Sequence, residues 1–77
     1  MKPVHENYVD EYARRVNRVL DHIEAHLDEE LRLEDLAAVA CFSPFHFHRL
    51  FKAFCGETLG EHLRRRRLER AARQLIC

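Results

Sequence analysis

The chain has 77 residues, with 13 Lys and Arg against 13 Asp and Glu for a formal net charge of zero, and it is 47% hydrophobic and 34% charged. Those proportions exclude a disordered chain, and the length allows one small domain with a modest core. With only 2 glycines and 2 prolines there is little room for the turns of a strand-rich fold, so long helices are expected. No apolar run approaches the roughly 20 residues that span a membrane. The start, Met1 to Glu6, lacks the apolar segment of a secretory signal, so a cytoplasmic setting is expected. Cys41, Cys55 and Cys77 form no CxxC pair and read as reduced thiols, with no disulfide.

The charge is unevenly distributed. Residues 1–40 hold 10 acidic and 5 basic residues, a balance of −5, while residues 41–77 hold 3 acidic and 8 basic residues, a balance of +5. The C-terminal half is therefore the part expected to face a polyanion.

In chain order, residues 1–7 read as a loose lead-in. A first helix is predicted from Tyr8 to about Asp28, with Val16, Leu20, Ile23 and Leu27 on one face and Val19 beside them. Glu29 to Arg32 form a turn. A short second helix follows from Leu33 to Ala40, with Leu33, Leu36, Ala37 and Ala40 inward; Ala37 is small enough for two helices to approach closely. After residues 41–43, Ser43 is a helix cap and Pro44 suits the first helical turn, so a third helix is predicted from 44 to about 55. Phe47, Leu50, Phe51 and Phe54 repeat at the spacing of one buried stripe. Gly56 is the natural left-handed stop and Thr58 a cap for a fourth helix, Leu59 to about Leu75. That helix has an early inward face of Leu59, His62 and Leu63 and a later apolar face of Leu68, Ala71, Ala72 and Leu75. The two faces do not line up, so the later one points at something outside the small core.

Two short helices joined by about three residues, the second opened by Ser-Pro, make a helix-turn-helix pattern. The outer side of the third helix carries Phe45, His48, Arg49 and Lys52, an unusual set to leave in water. It fits the DNA major groove. Arg49 suits bidentate donation to guanine O6 and N7, and His48 can donate or accept at a base edge. Phe45 would meet a thymine methyl or a sugar, or else pack against the N-terminal segment. Ser43, His46 and Lys52 sit where contacts to the DNA backbone are expected, and helix-start N–H groups favour a phosphate.

The residues that carry all this also match a known family. Leu33-Glu34-Asp35-Leu36-Ala37, then Phe42-Ser43-Pro44, Phe47-His48-Arg49-Leu50-Phe51-Lys52, Gly56, and Arg67-Leu68-Glu69-Arg70-Ala71 resemble the AraC/XylS transcription regulators over roughly residues 14–76. The run Phe-Ser-Pro-Phe-His-Phe-His-Arg at 42–49 looks like members whose DNA-binding part precedes a GyrI-like small-molecule-binding domain. The resemblance implies an all-α, homeodomain-like unit of four helices: a helix-turn-helix subdomain over 8–58 and a long linker helix over 59–77. It also implies that Phe45, His48 and Arg49 face bases. A second helix-turn-helix unit would dock on Leu68, Ala72, Leu75 and Ile76, and an effector ligand would act only through a further domain. Three positions depart from the family pattern. Cys41 stands where glycine is common and would need a left-handed backbone, His62 where tyrosine is common, and Arg66 where an apolar residue is common.

Other readings weigh less. Arg64 to Arg67 sweep most of a helix circumference, and serve either as phosphate contacts or as a solvated face paired with Glu61 and Glu69. His22 and His26 share a helix face without a third ligand nearby, so no metal or cofactor is expected. No Gly-rich phosphate loop or nucleophile–base–acid set marks an enzyme. The rival to DNA binding is a helical protein–protein interaction module built on the later apolar face and Phe45.

Overall fold

A computed structural model describes the backbone of residues 4–76 and the side chains of residues 9–75. The described residues are all-α: α1 (Val4–Ala25), α2 (Leu33–Val39), α3 (Pro44–Cys55) and α4 (Leu59–Ile76). Two boundaries of the first helix differ from expectation. α1 already begins at Val4, inside the expected lead-in, and residues 1–3 lie outside the described residues. It ends at Ala25 rather than Asp28, where the His26 N–H turns back to the Ile23 carbonyl at 3.1 Å and tightens the last turn.

The core gathers one stripe from each helix. Val19, Ile23 and Leu27 from α1 and its exit meet Leu36, Ala37 and Ala40 from α2 and its C-cap, Phe47 and Phe51 from α3, and Leu59 and Leu63 from α4. The rings of Phe47 and Phe51 lie 5.7 Å apart at its centre, both fully buried. Each is large enough that truncation to alanine would cost about 3–5 kcal/mol, a large share of what a domain this small can hold. His62, on the inward face of α4, is buried and sets its ring edge-on to Phe51 at 5.4 Å.

Phe54 departs from its stripe and is 41% exposed, while Leu50 is half-buried. The last turn of α3 is covered on the side of Phe51 and Cys55, both packed with the core, and Phe54 lies one position off that side. The thiols of Cys41 and Cys55 are free, and that of Cys77 lies outside the described residues.

The ends of the inner helices are closed by backbone geometry. α3 starts as expected, with the Ser43 hydroxyl accepting from the His46 N–H at 3.2 Å and Pro44 in the first turn. It stops at Gly56, in the left-handed region at φ 76°. Thr58 and Glu61 cap α4 reciprocally: the Glu61 N–H donates to Thr58 Oγ1 at 3.1 Å, and the Thr58 N–H donates to Glu61 Oε1 at 2.8 Å. Glu61 is thus occupied with the cap instead of the arginine pairing considered for it.

α2 closes with two bonds, Phe42 N–H to the Ala37 carbonyl at 2.9 Å and Cys41 N–H to the Ala38 carbonyl at 3.0 Å. This double closure needs a left-handed residue at position 41. Cys41 supplies it at φ 61°, strained for a residue with a Cβ. Replacing it by glycine relieves that strain but adds unfolded-state entropy. Cys41→Gly is therefore expected to stabilise the fold by about 0.5–1 kcal/mol in denaturant unfolding, and an unchanged or lowered midpoint would show that the strain is no larger than the entropy glycine adds.

Candidate nucleic-acid interface

Burial of Phe47 and Phe51 leaves the opposite side of α3 facing out. Phe45, His48, Arg49 and Lys52 are all exposed there, Phe45 at 74%. Phe45 is therefore open to a partner and takes no part in the core. Its ring instead lies under the Arg49 guanidinium, whose carbon is 5.8 Å from the ring centroid. A guanidinium resting on an aromatic face keeps its edge donors free for a planar acceptor pair. His48, Arg49 and Lys52 line one shallow depression with Ala53, and Phe45, His46, Arg49 and Leu50 another beside it. The residues expected to face bases therefore form one continuous surface.

Of the expected backbone contacts, Lys52 and Ser43 are exposed at the two ends of this surface. His46 has a further role. Its ring meets Tyr12 of α1 at 5.9 Å and Phe42 at 5.2 Å, both edge-on, and Tyr12 meets Phe42 at 5.2 Å. The Arg15 guanidinium lies over Phe42, 5.0 Å from its centroid. This cluster joins α1 to the first turn of α3. Sequence periodicity gives no sign of it, because its members come from separate elements.

The arginines of α4 divide unevenly. Arg66 clamps Glu24 of α1 with two bonds, of 2.9 and 2.7 Å. Arg67 donates to the carbonyls of Leu27 and Glu29 at 3.1 and 2.9 Å, and Arg70 to that of Glu24 at 3.1 Å. These carbonyls belong to the end of α1 and the turn after it, which the arginines cap with positive charge at the negative pole of the helix. The guanidiniums at 66, 67 and 70 therefore fix α4 against α1. Arg64 is exposed. His22 and His26 stack on each other at 4.3 Å, and His26 Nδ1 lies 2.6 Å from Glu29.

Residues 23–64 match the model of the bacterial regulatory helix-turn-helix proteins of the AraC family. The chain belongs to that family. Its helix-turn-helix is thus a DNA-binding unit of transcription regulation. It is 40% identical over 65 residues to the uncharacterized HTH-type transcriptional regulator YbfP of Bacillus subtilis, covering 84% of the chain and 22% of that protein. It is 38% identical over 63 residues to the regulatory protein PocR of Salmonella typhimurium, covering 82% of the chain and 20% of that protein. It is also 36% identical over 75 residues to the bifunctional transcriptional activator/DNA repair enzyme AdaA of Bacillus subtilis, covering 97% of the chain and 35% of that protein. The chain spans about a fifth of the length of the first two relatives.

In this AraC-family unit the junction between α3 and α4 is held by Glu57. Arg65 donates to it at 2.8 Å and His62 Nδ1–H at 2.9 Å, and Arg65 also reaches Glu69 at 3.0 Å. The Arg65 guanidinium, and His62 after it, hold the Glu57 carboxyl down at about 2 from an ordinary 4.5. A depressed carboxyl contributes stability above its unfolded pKa and loses it as pH falls towards the folded value. Thermal melts should therefore show wild type ahead of Glu57→Gln at pH above about 4.5, with the gap closing as pH approaches about 2. A gap that does not change with pH would mean that this ion pair adds nothing.

Proposed function

We propose that this unit binds duplex DNA sequence-specifically with α3 in the major groove, as part of a transcription regulator working in the cytoplasm. Arg49 donates to guanine, His48 reads a neighbouring base edge and Phe45 meets a thymine methyl. Ser43, His46 and Lys52 hold the phosphate backbone. The observation that carries this reading is the division of α3: one side buried through Phe47 and Phe51, the other an exposed, acid-free surface with a pre-oriented arginine. Base contacts specify and phosphate contacts position, and this surface has groups for both. This binding needs no reaction, metal or cofactor.

The later face of α4 supports a second part of the proposal. Leu68 and Leu75 are 64% and 87% exposed, and Ala72 lies open between them; the side chain of Ile76 lies outside the described residues. This face receives a second helix-turn-helix unit, which would read the next major-groove segment, with α4 as the linker. An effector, such as the ligand of a GyrI-like domain, would act through a further domain. The same face favours the rival reading, a protein–protein module, and salt separates the two. DNA binding weakens steeply with salt as counterions are released, whereas an apolar interface is nearly indifferent.

On duplexes selected from a random-sequence pool, Arg49→Ala should relax the preference at one base, costing about 1–3 kcal/mol on the best site. Lys52→Ala should weaken every sequence alike. If neither variant changes DNA affinity, α3 is not the reading helix.

A further inference from the structure

We propose that Arg15 of α1 is an additional contact to the DNA backbone, so that the bound surface runs from α3 across the Tyr12–Phe42–His46 cluster onto the first helix. The proposal rests on the reading of α3 as the groove-binding helix and extends it to a helix whose part was expected to be core packing alone. Three observations carry it.

The first is how Arg15 is held. Its Nε donates to Glu11 Oε1 at 3.1 Å, and its guanidinium face lies over Phe42. Among the described residues its terminal nitrogens make no hydrogen bond, and the side chain keeps 29% of its exposure. A guanidinium pinned through one edge and one face, with its fork open, is pre-organised for a phosphate oxygen pair.

The second is where it is held. Phe42 directly precedes Ser43, the cap of α3, and its ring touches His46 in the first turn of the same helix. Arg15 and His46 therefore share one ring beside the Ser43 cap, at the end of α3 that meets the backbone when the helix enters a groove. The mutual edge-to-face packing of Tyr12, Phe42 and His46 makes this a fixed arrangement.

The third is the surrounding charge. Arg14 shares Glu11 with Arg15 at 2.7 Å, and Arg18 follows one turn on. α1 also carries Glu6, Asp10, Glu11, Asp21 and Glu24, of which Glu11 is bound by Arg14 and Arg15, and α3 brings no acid to the junction.

The test uses a fluorescently labelled, mixed-sequence duplex, because a phosphate contact needs no particular site. Anisotropy titrations over a series of KCl concentrations give the slope of log K against log salt. Arg15→Gln should make that slope shallower by about 0.9, the value of one phosphate, with Arg15→Lys restoring it. Glu11→Gln, which removes a carboxylate beside the DNA, should tighten binding several-fold. An unchanged slope for Arg15→Gln overturns the proposal. Should that variant fail to fold, an unchanged affinity for Glu11→Gln overturns it instead. Lys52→Ala keeps the two readings apart: if its slope falls while that of Arg15→Gln does not, only the contact from α1 is lost. If neither moves, the assignment of α3 fails with it.

Discussion

The rest of the molecule depends on the burial of Phe47 and Phe51. Their rings fill the centre of a core too small to spare either, and that fixes the rotation of α3 about its own axis. Once those two positions point inward, Phe45, His48, Arg49 and Lys52 must point outward. The cap at Ser43 and the left-handed stop at Gly56 confine the helix to 12 residues, so no longer helix exists to shift in register. Stability and recognition thus use opposite sides of one element. The exposed side chains of Phe45, His48, Arg49 and Lys52 take no part in the core, which Phe47 and Phe51 fill from the other side.

Electrostatics follow a similar division. A balance of −5 over residues 1–40 against +5 over residues 41–77 would suit a field prepared for a polyanion. Part of it is satisfied internally, because Arg65 is bound to Glu57 and Glu69, and Arg66, Arg67 and Arg70 to the end of α1. These bonds set α4 on α1 and leave the apolar face of Leu68 and Leu75 turned outward. Among the described residues, Arg49 and Lys52 on α3 and Arg64 and Arg73 on α4 stay exposed with no acid bound to them.

Much of this was legible in the chain. α3 and α4 are announced by capping residues, α3 is stopped by glycine, and the inward stripes of α2 and early α4 lie where periodicity puts them. The left-handed strain at Cys41 is expected only through the resemblance, because Cys41 stands where the family commonly has glycine. Other features depend on distance in sequence. Phe54 has the periodicity of a core residue but lies outside the core cluster, 41% exposed. The bond between Glu24 and Arg66 spans 42 residues, and each partner alone reads as a solvated charge. The cluster of Tyr12, Phe42 and His46 leaves no pattern, since edge-to-face rings need proximity rather than spacing.

The most direct measurement is an NMR titration of the isotope-labelled chain with duplex DNA, following backbone amides and the Arg49 side chain. The account predicts that the largest shifts cluster at residues 43–52 and at Arg49, and disappear at high salt. Shifts confined to the apolar face around Leu68 and Leu75, with α3 unmoved, would contradict it.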